Sequence, residues 1–155
     1  MTRRGARQPL VWLAALFLVL TACTPQVAPG GDAASDAPTQ RDGQVLVMPD
    51  GARLPLHVWE PRGNSRPEAV VLGVHGFNDY SMGFDLPAQW FAAQEITLYA
   101  YDQRGFGGAP NRGTGPGERV MARDLGHAVR WVKAQHPDTP IYLLGVSMGG
   151  AVTLA

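Results

Sequence analysis

The chain has 155 residues, 45% of them hydrophobic and 17% charged, with 19 Gly and 13 Pro. That glycine and proline content exceeds what a helix bundle or coiled coil carries, the apolar fraction excludes a fully disordered chain, and the length holds one domain at most. Basic and acidic residues balance at 13 each, but Arg3, Arg4 and Arg7 precede any acid, so the remainder is mildly acidic. No basic tract or aromatic-basic patch speaks for nucleic acid. A single cysteine, Cys23, excludes an intrachain disulfide and a cysteine-rich metal site.

Arg3, Arg4 and Arg7 form a cationic leader, and Leu10 to Ala22 is a largely apolar run of 13 residues, short of the ~20 that span a bilayer. Its end, Leu20-Thr21-Ala22-Cys23, resembles the bacterial lipobox, in which the cysteine is diacylated and the peptide is cut just before it. The expectation is a lipoprotein signal peptide over 1–22 and a protein exported to the bacterial cell envelope, anchored in a membrane through acylated Cys23. Two or more acyl chains make such an anchor durable. Thr24 to Gly43 is rich in Pro, Gly, Ala, Ser and Asp and cannot bury enough apolar surface to order itself. Residues 23–43 are therefore expected to be a flexible tether, and 44–155 the folded part.

Gln44 to Met48 and Arg53 to Glu60 are strand-like runs joined by the turn signal Pro49-Asp50-Gly51-Ala52, which predicts a hairpin. Ala69 to Val74 is an unbroken apolar run, the pattern of a strand buried on both faces of a parallel sheet. Leu86 to Gln94 predicts a short helix, and Ile96 to Tyr101 a second buried strand. From Glu118 to His136 the apolar residues Met121, Leu125, Val129 and Val132 mark one helical face, stopped by Pro137 and Pro140. Ile141 to Val146 predicts a third buried strand, and the small residues after Ser147 a helix. This order predicts an α/β fold with a mostly parallel sheet and helices on both faces.

Gly145-Val146-Ser147-Met148-Gly149 is Gly-x-Ser-x-Gly, set directly after a strand and before a helix, where a nucleophile elbow requires it. The turn strains the serine backbone and is tolerable only if the residues two before and two after lack bulky side chains, as Gly145 and Gly149 do. Ser147 Oγ is then lifted clear of the sheet, and the helix aims free N–H groups at developing negative charge. An oxyanion in acyl transfer needs two N–H donors. Met148 supplies one. The other comes from His75-Gly76-Phe77-Asn78, where Phe77 is the natural candidate, ahead of Asn78, because Gly76 lets the backbone approach the substrate. His75 is read as a ring that shapes this loop by hydrogen bonding rather than as a base.

Ala69 to Ser81 (AVVLGVHGFNDYS), Tyr101 to Gly113 (YDQRGFGGAPNRG) and Tyr142 to Gly150 (YLLGVSMGG) together resemble the α/β-hydrolase superfamily. Within it they are most similar to serine-aminopeptidase-like and monoacylglycerol-lipase-like hydrolases, a group that includes lysophospholipases. The resemblance runs from about Gln44 to Ala155. It implies the α/β-hydrolase fold, Ser147 as nucleophile and the Phe77 and Met148 amides as oxyanion hole. Asp102 lies in the loop that braces the site in this group and is not the triad acid; it is read as a structural carboxylate that pairs with Arg104 or caps backbone amides. Asp124 and His127 fall on one helical face, where a hydrogen-bonded or solvated surface is preferred to a metal pair. His57 and His136 have no partner pattern that suggests catalysis.

In this fold the triad runs Ser, acid, His, and Met148 to Ala155 contains neither acid nor histidine. The expectation is that these residues are the N-terminal part of the domain, that the acid and histidine lie beyond them, and that the 155 residues alone are inactive. Two functions follow. One is a lipid-anchored serine hydrolase of carboxylic esters, with lipid-like acyl substrates and an acyl-serine intermediate, needing no metal or organic cofactor. The other is a non-catalytic, lipid-anchored binding or scaffold protein built on the same fold.

Overall fold

A computed structural model describes residues 38–63 and 66–155. The expected signal peptide, Cys23 and most of the expected tether lie outside the described residues. The described residues form six strands and three helices, four strands preceding the first helix and strands and helices alternating thereafter. The strands are β1 (Gln40–Asp42), β2 (Val45–Val47), β3 (Arg53–Trp59), β4 (Ala69–Val74), β5 (Ile96–Tyr101) and β6 (Ile141–Gly145). The helices are α1 (Asp85–Ala93), entered through a 3-10 turn at Ser81–Phe84, α2 (Glu118–Gln135) and α3 (Met148–Leu154).

The strands form one sheet in the order β1-β2-β3-β5-β4-β6. β4 pairs parallel with β5 and β6, while β1, β2 and β3 meander antiparallel and β3 joins β5 antiparallel. The expected hairpin is present. Its turn closes by Met48 N–H donating to Ala52 O and Gly51 N–H to Met48 O, both at 2.8 Å.

Side-chain alternation sorts β4 between two cores. Val70, Leu72 and Val74 pack with Tyr99, Tyr101, Met121, Leu125, Ala128 and Val132 under α2, and with Val152 of α3. Val71 packs with Leu98, Ala100, Phe84 and Ala88 under α1. Each large aliphatic side chain so buried contributes about 1.5–3 kcal/mol. Helices therefore cover both faces, as the α/β pattern predicts.

Three expectations change. Pairing begins at Gln40 rather than Gln44, because β1 is a wholly exposed polar strand held by its backbone ladder to β2, and such a strand leaves no hydrophobic pattern. β6, expected to be buried, is a sheet edge paired only to β4 among the described residues, with Tyr142 59% and Leu143 43% exposed. The buried stripe of α2 is Met121, Asp124, Leu125, Ala128 and Val132, with Val129 at its margin. A carboxylate thus stands inside a stripe expected to be apolar.

Candidate active site

The catalytic candidates gather at the C-terminal ends of the parallel strands, where loops rather than side-chain packing close the sheet. β6 ends at Gly145, and the chain turns through Val146 and Ser147 into α3. Val146 N–H donates to Val74 O at 3.0 Å, which ties the turn to the end of β4. Ser147 has φ 51° and ψ −114°, a left-handed conformation that costs a non-glycine residue about 1–3 kcal/mol. Its surroundings enforce it. A Cβ at Gly145 would stand 2.6 Å from Gly150 Cα, and one at Gly149 would overlap the Val74 carbonyl oxygen. Ser147 is left exposed at the tip, and no described histidine or carboxylate bonds its hydroxyl.

The loop after β4 lies against this elbow. A Cβ at Gly76 would be 3.5 Å from Ser147 Cβ and 3.4 Å from Val146 O, so Gly76 brings this loop close to Ser147. Neither the Phe77 amide nor the Met148 amide has a partner among the described residues, as a pair of donors awaiting an acceptor requires. The Phe77 ring is 75% exposed and meets Phe106 edge-on at 5.6 Å. An apolar cavity of about 500 Å³ opens here, with Phe77, Phe106, Pro116, Met121, Met148 and Val152 among its lining.

His75 is fully used by the loop. It is 1% exposed; its Nδ1 bonds Gly76 O at 2.8 Å and its Nε2 accepts the Gln103 amide at 2.9 Å. Because Nε2 faces a donor, the ring proton resides on Nδ1, and neither nitrogen is free to act as a base. Asp102 caps backbone amides, the second of the two structural roles expected. Oδ1 accepts Ser81 N–H at 2.8 Å and the Ser81 hydroxyl at 2.5 Å, and Oδ2 accepts Gly108 N–H at 2.8 Å. The Ser81 hydroxyl in turn meets His57 Nδ1 at 2.8 Å.

Arg104 looks elsewhere. Its Nε and Nη2 engage Asp124 at 2.6 and 2.9 Å, and its Nη1 engages Asp50 at 2.7 Å. Hydrogen bonding from Arg104 lowers the Asp50 pKa, whereas burial raises that of Asp124 against the pull of the same guanidinium. Asp124 therefore does not pair with His127, whose Nδ1 meets Arg130 Nη2 at 3.0 Å. His136 Nε2 bonds Tyr99 Oη at 2.9 Å. Among the described residues no cluster of three metal-ligating side chains occurs. Two contributors had no signal in the sequence: Asp50, a turn residue until the fold brings Arg104 to it, and Gln103, whose side chain donates to His75 O at 2.7 Å.

Comparison with known proteins agrees with this geometry. The family model described as serine aminopeptidase, S33 matches residues 65–155. The chain is 33% identical to the monoglyceride lipase of Rattus norvegicus over 116 residues, covering 70% of this chain and 36% of that protein. It is 33% identical to the monoacylglycerol lipase of Mycolicibacterium smegmatis over 112 residues, covering 68% and 37% respectively. Among solved structures, a soluble variant of monoglyceride lipase from Saccharomyces cerevisiae in complex with a substrate analog superposes with a TM-score of 0.64 at 25% identity, over 81% of this chain and 42% of that one. A carboxyl esterase from Bacillus coagulans shares the fold at 22% identity and a TM-score of 0.59, over 74% and 36%. The chain thus spans little more than a third of the length of these two lipases. With the elbow, the loop after β4 and the strand order all in place, the chain belongs to the serine aminopeptidase, S33 family and has the α/β-hydrolase fold.

Proposed function

We propose that the protein is a serine hydrolase that cleaves carboxylic esters of lipid-like acyl groups through an acyl-serine intermediate. Ser147 Oγ attacks the ester carbonyl carbon and its proton passes to a histidine. The carbonyl oxygen becomes an oxyanion held by the Phe77 and Met148 amides; the alcohol then departs with the proton, and water releases the acid by the same steps reversed. The histidine and its acid partner are proposed to lie in the part of the relatives' length that this chain does not span. The observation that carries the reading is the strained, exposed Ser147 with the loop at Gly76 packed against it. The apolar cavity lined by Phe77 and Met148 supports a hydrocarbon acyl group, as do the relatives named as monoglyceride lipases.

In the intact protein a fluorophosphonate probe should label Ser147, and Ser147→Ala should abolish both labelling and turnover of p-nitrophenyl butyrate. Turnover that survives Ser147→Ala would sink the reading. A stable protein that never reacts with the probe would favour a non-catalytic scaffold. The 155 residues alone should hydrolyse the ester no faster than their own Ser147→Ala variant, because a serine without a base is a poor nucleophile at neutral pH.

We also propose that Cys23 carries the acyl chains of a lipoprotein anchor in the bacterial cell envelope, a reading supported by Leu20-Thr21-Ala22-Cys23. Cells fed radiolabelled palmitate should incorporate label into the wild-type protein and none into Cys23→Ser. Label retained by that variant would overturn the anchor.

A further inference from the structure

We infer that Gln103 is a positioning residue of the oxyanion hole, acting through His75 on the Phe77 amide; the inference rests on the proposed roles of Ser147 and Phe77. Every described peptide bond is trans, so the carbonyl and the N–H of one peptide unit point to opposite sides of the chain. Gly76 C=O and Phe77 N–H belong to one such unit. The Gly76 oxygen is held by His75 Nδ1–H at 2.8 Å, which directs the Phe77 N–H away from the imidazole. The orientation of the donor is therefore set by where the His75 ring stands.

Gln103 sets where the ring stands, and it does so from two sides. Its amide N–H donates to His75 Nε2 at 2.9 Å, and its side-chain Nε2 donates to the His75 carbonyl oxygen at 2.7 Å. The first bond forces the ring proton onto Nδ1, the tautomer that can hold Gly76 O. The second fixes the peptide plane next to the one that carries the donor. Gln103 is 2% exposed, and its Oε1 has no partner among the described residues. The single polar engagement of this buried side chain is thus with the backbone of the oxyanion loop. Phe106, edge-on to His75 at 5.7 Å and to Phe77 at 5.6 Å, closes the other side.

Gln103→Met keeps the length and the backbone bond but loses the side-chain donor. In the intact protein, kcat for p-nitrophenyl butyrate should fall about tenfold, less than the 10²–10³ of a deleted oxyanion donor, while KM stays within twofold. Inhibition by phenylboronic acid, which forms a tetrahedral adduct on the serine, should weaken by the same factor as kcat. A purely structural role would lower the amount of folded protein, and with it the apparent kcat, but would leave the phenylboronic acid inhibition constant unchanged, so kcat is expressed per active site titrated with the fluorophosphonate probe. Thermal unfolding is followed in parallel, and if Gln103→Met does not fold, Gln103→Leu, which likewise lacks the donor, is read in the same way. A kcat within twofold of wild type in a folded variant, or a rise in KM that accounts for the whole loss, overturns the inference. Ser147→Ala serves as the control: activity that persists there defeats the nucleophile reading itself, whereas its loss beside an undiminished Gln103 variant defeats only the positioning role.

Discussion

Gly149 shows how little room the elbow has. A Cβ there would overlap the carbonyl of Val74, a backbone atom held in the β4 ladder and already accepting from Val146 N–H. Gly149→Ala is expected to destabilise the intact protein by about 1–3 kcal/mol, the scale of overpacking that shifts backbone, and to abolish fluorophosphonate labelling because α3 must move with Ser147. Retained labelling at the wild-type rate would show that the contact is slack. The pentapeptide was legible in the sequence because the turn needs small residues at fixed offsets from its serine. His75 was legible as a loop-shaping ring, although its partner was not. Gln103 and His75 are 28 positions apart, and no periodicity links the ends of two strands that become neighbours only when the sheet forms.

At the scale of elements, Arg104 joins three pieces of chain: the hairpin turn through Asp50, the loop after β5, and α2 through Asp124. The side chains are at most 9% exposed, so removing the cation strands two carboxylates in the interior. Arg104→Met should cost about 3–5 kcal/mol in urea denaturation; a loss under about 1 kcal/mol would mean that water reaches the carboxylates once the cation is gone. The pH dependence divides between them. Asp50 is held below its ordinary value of 3.8 by Arg104, so its stabilisation is present above that value and is lost as pH falls through the lower folded value. Asp124, raised by burial, has the opposite sign and gains relative stability when protonated. Asp50→Asn should therefore flatten the acid limb of the urea midpoint below about pH 5, and an unchanged limb would place the acid sensitivity elsewhere. The sequence left two structural roles open for Asp102, pairing with Arg104 or capping backbone amides, and the second is the one observed. Asp102 is occupied by the Ser81 and Gly108 amides, and the buried face of α2 meets the Arg104 guanidinium instead.

For the whole molecule, the order of strands and helices followed from runs of apolar residues and their periods, since a strand buried on both faces and a helix with one apolar stripe each leave a local record. The α/β class, the length of α2 and the glycine pattern of the elbow are records of that kind, and the family match over residues 65–155 agrees with them. β1 and the exposure of β6 are not. A polar edge strand is held by backbone hydrogen bonds that any side chains would permit, and whether an apolar run is covered depends on which neighbours the sheet supplies. The same division holds for the candidate site. Ser147, Phe77 and Met148 could be nominated from the sequence because their residue types and offsets meet local steric demands. The use of both His75 nitrogens, the amide-capping role of Asp102 and the Arg104 cluster were decided only by the tertiary structure, because hydrogen bonds between loops distant in sequence depend on the sheet order and register that bring those loops together.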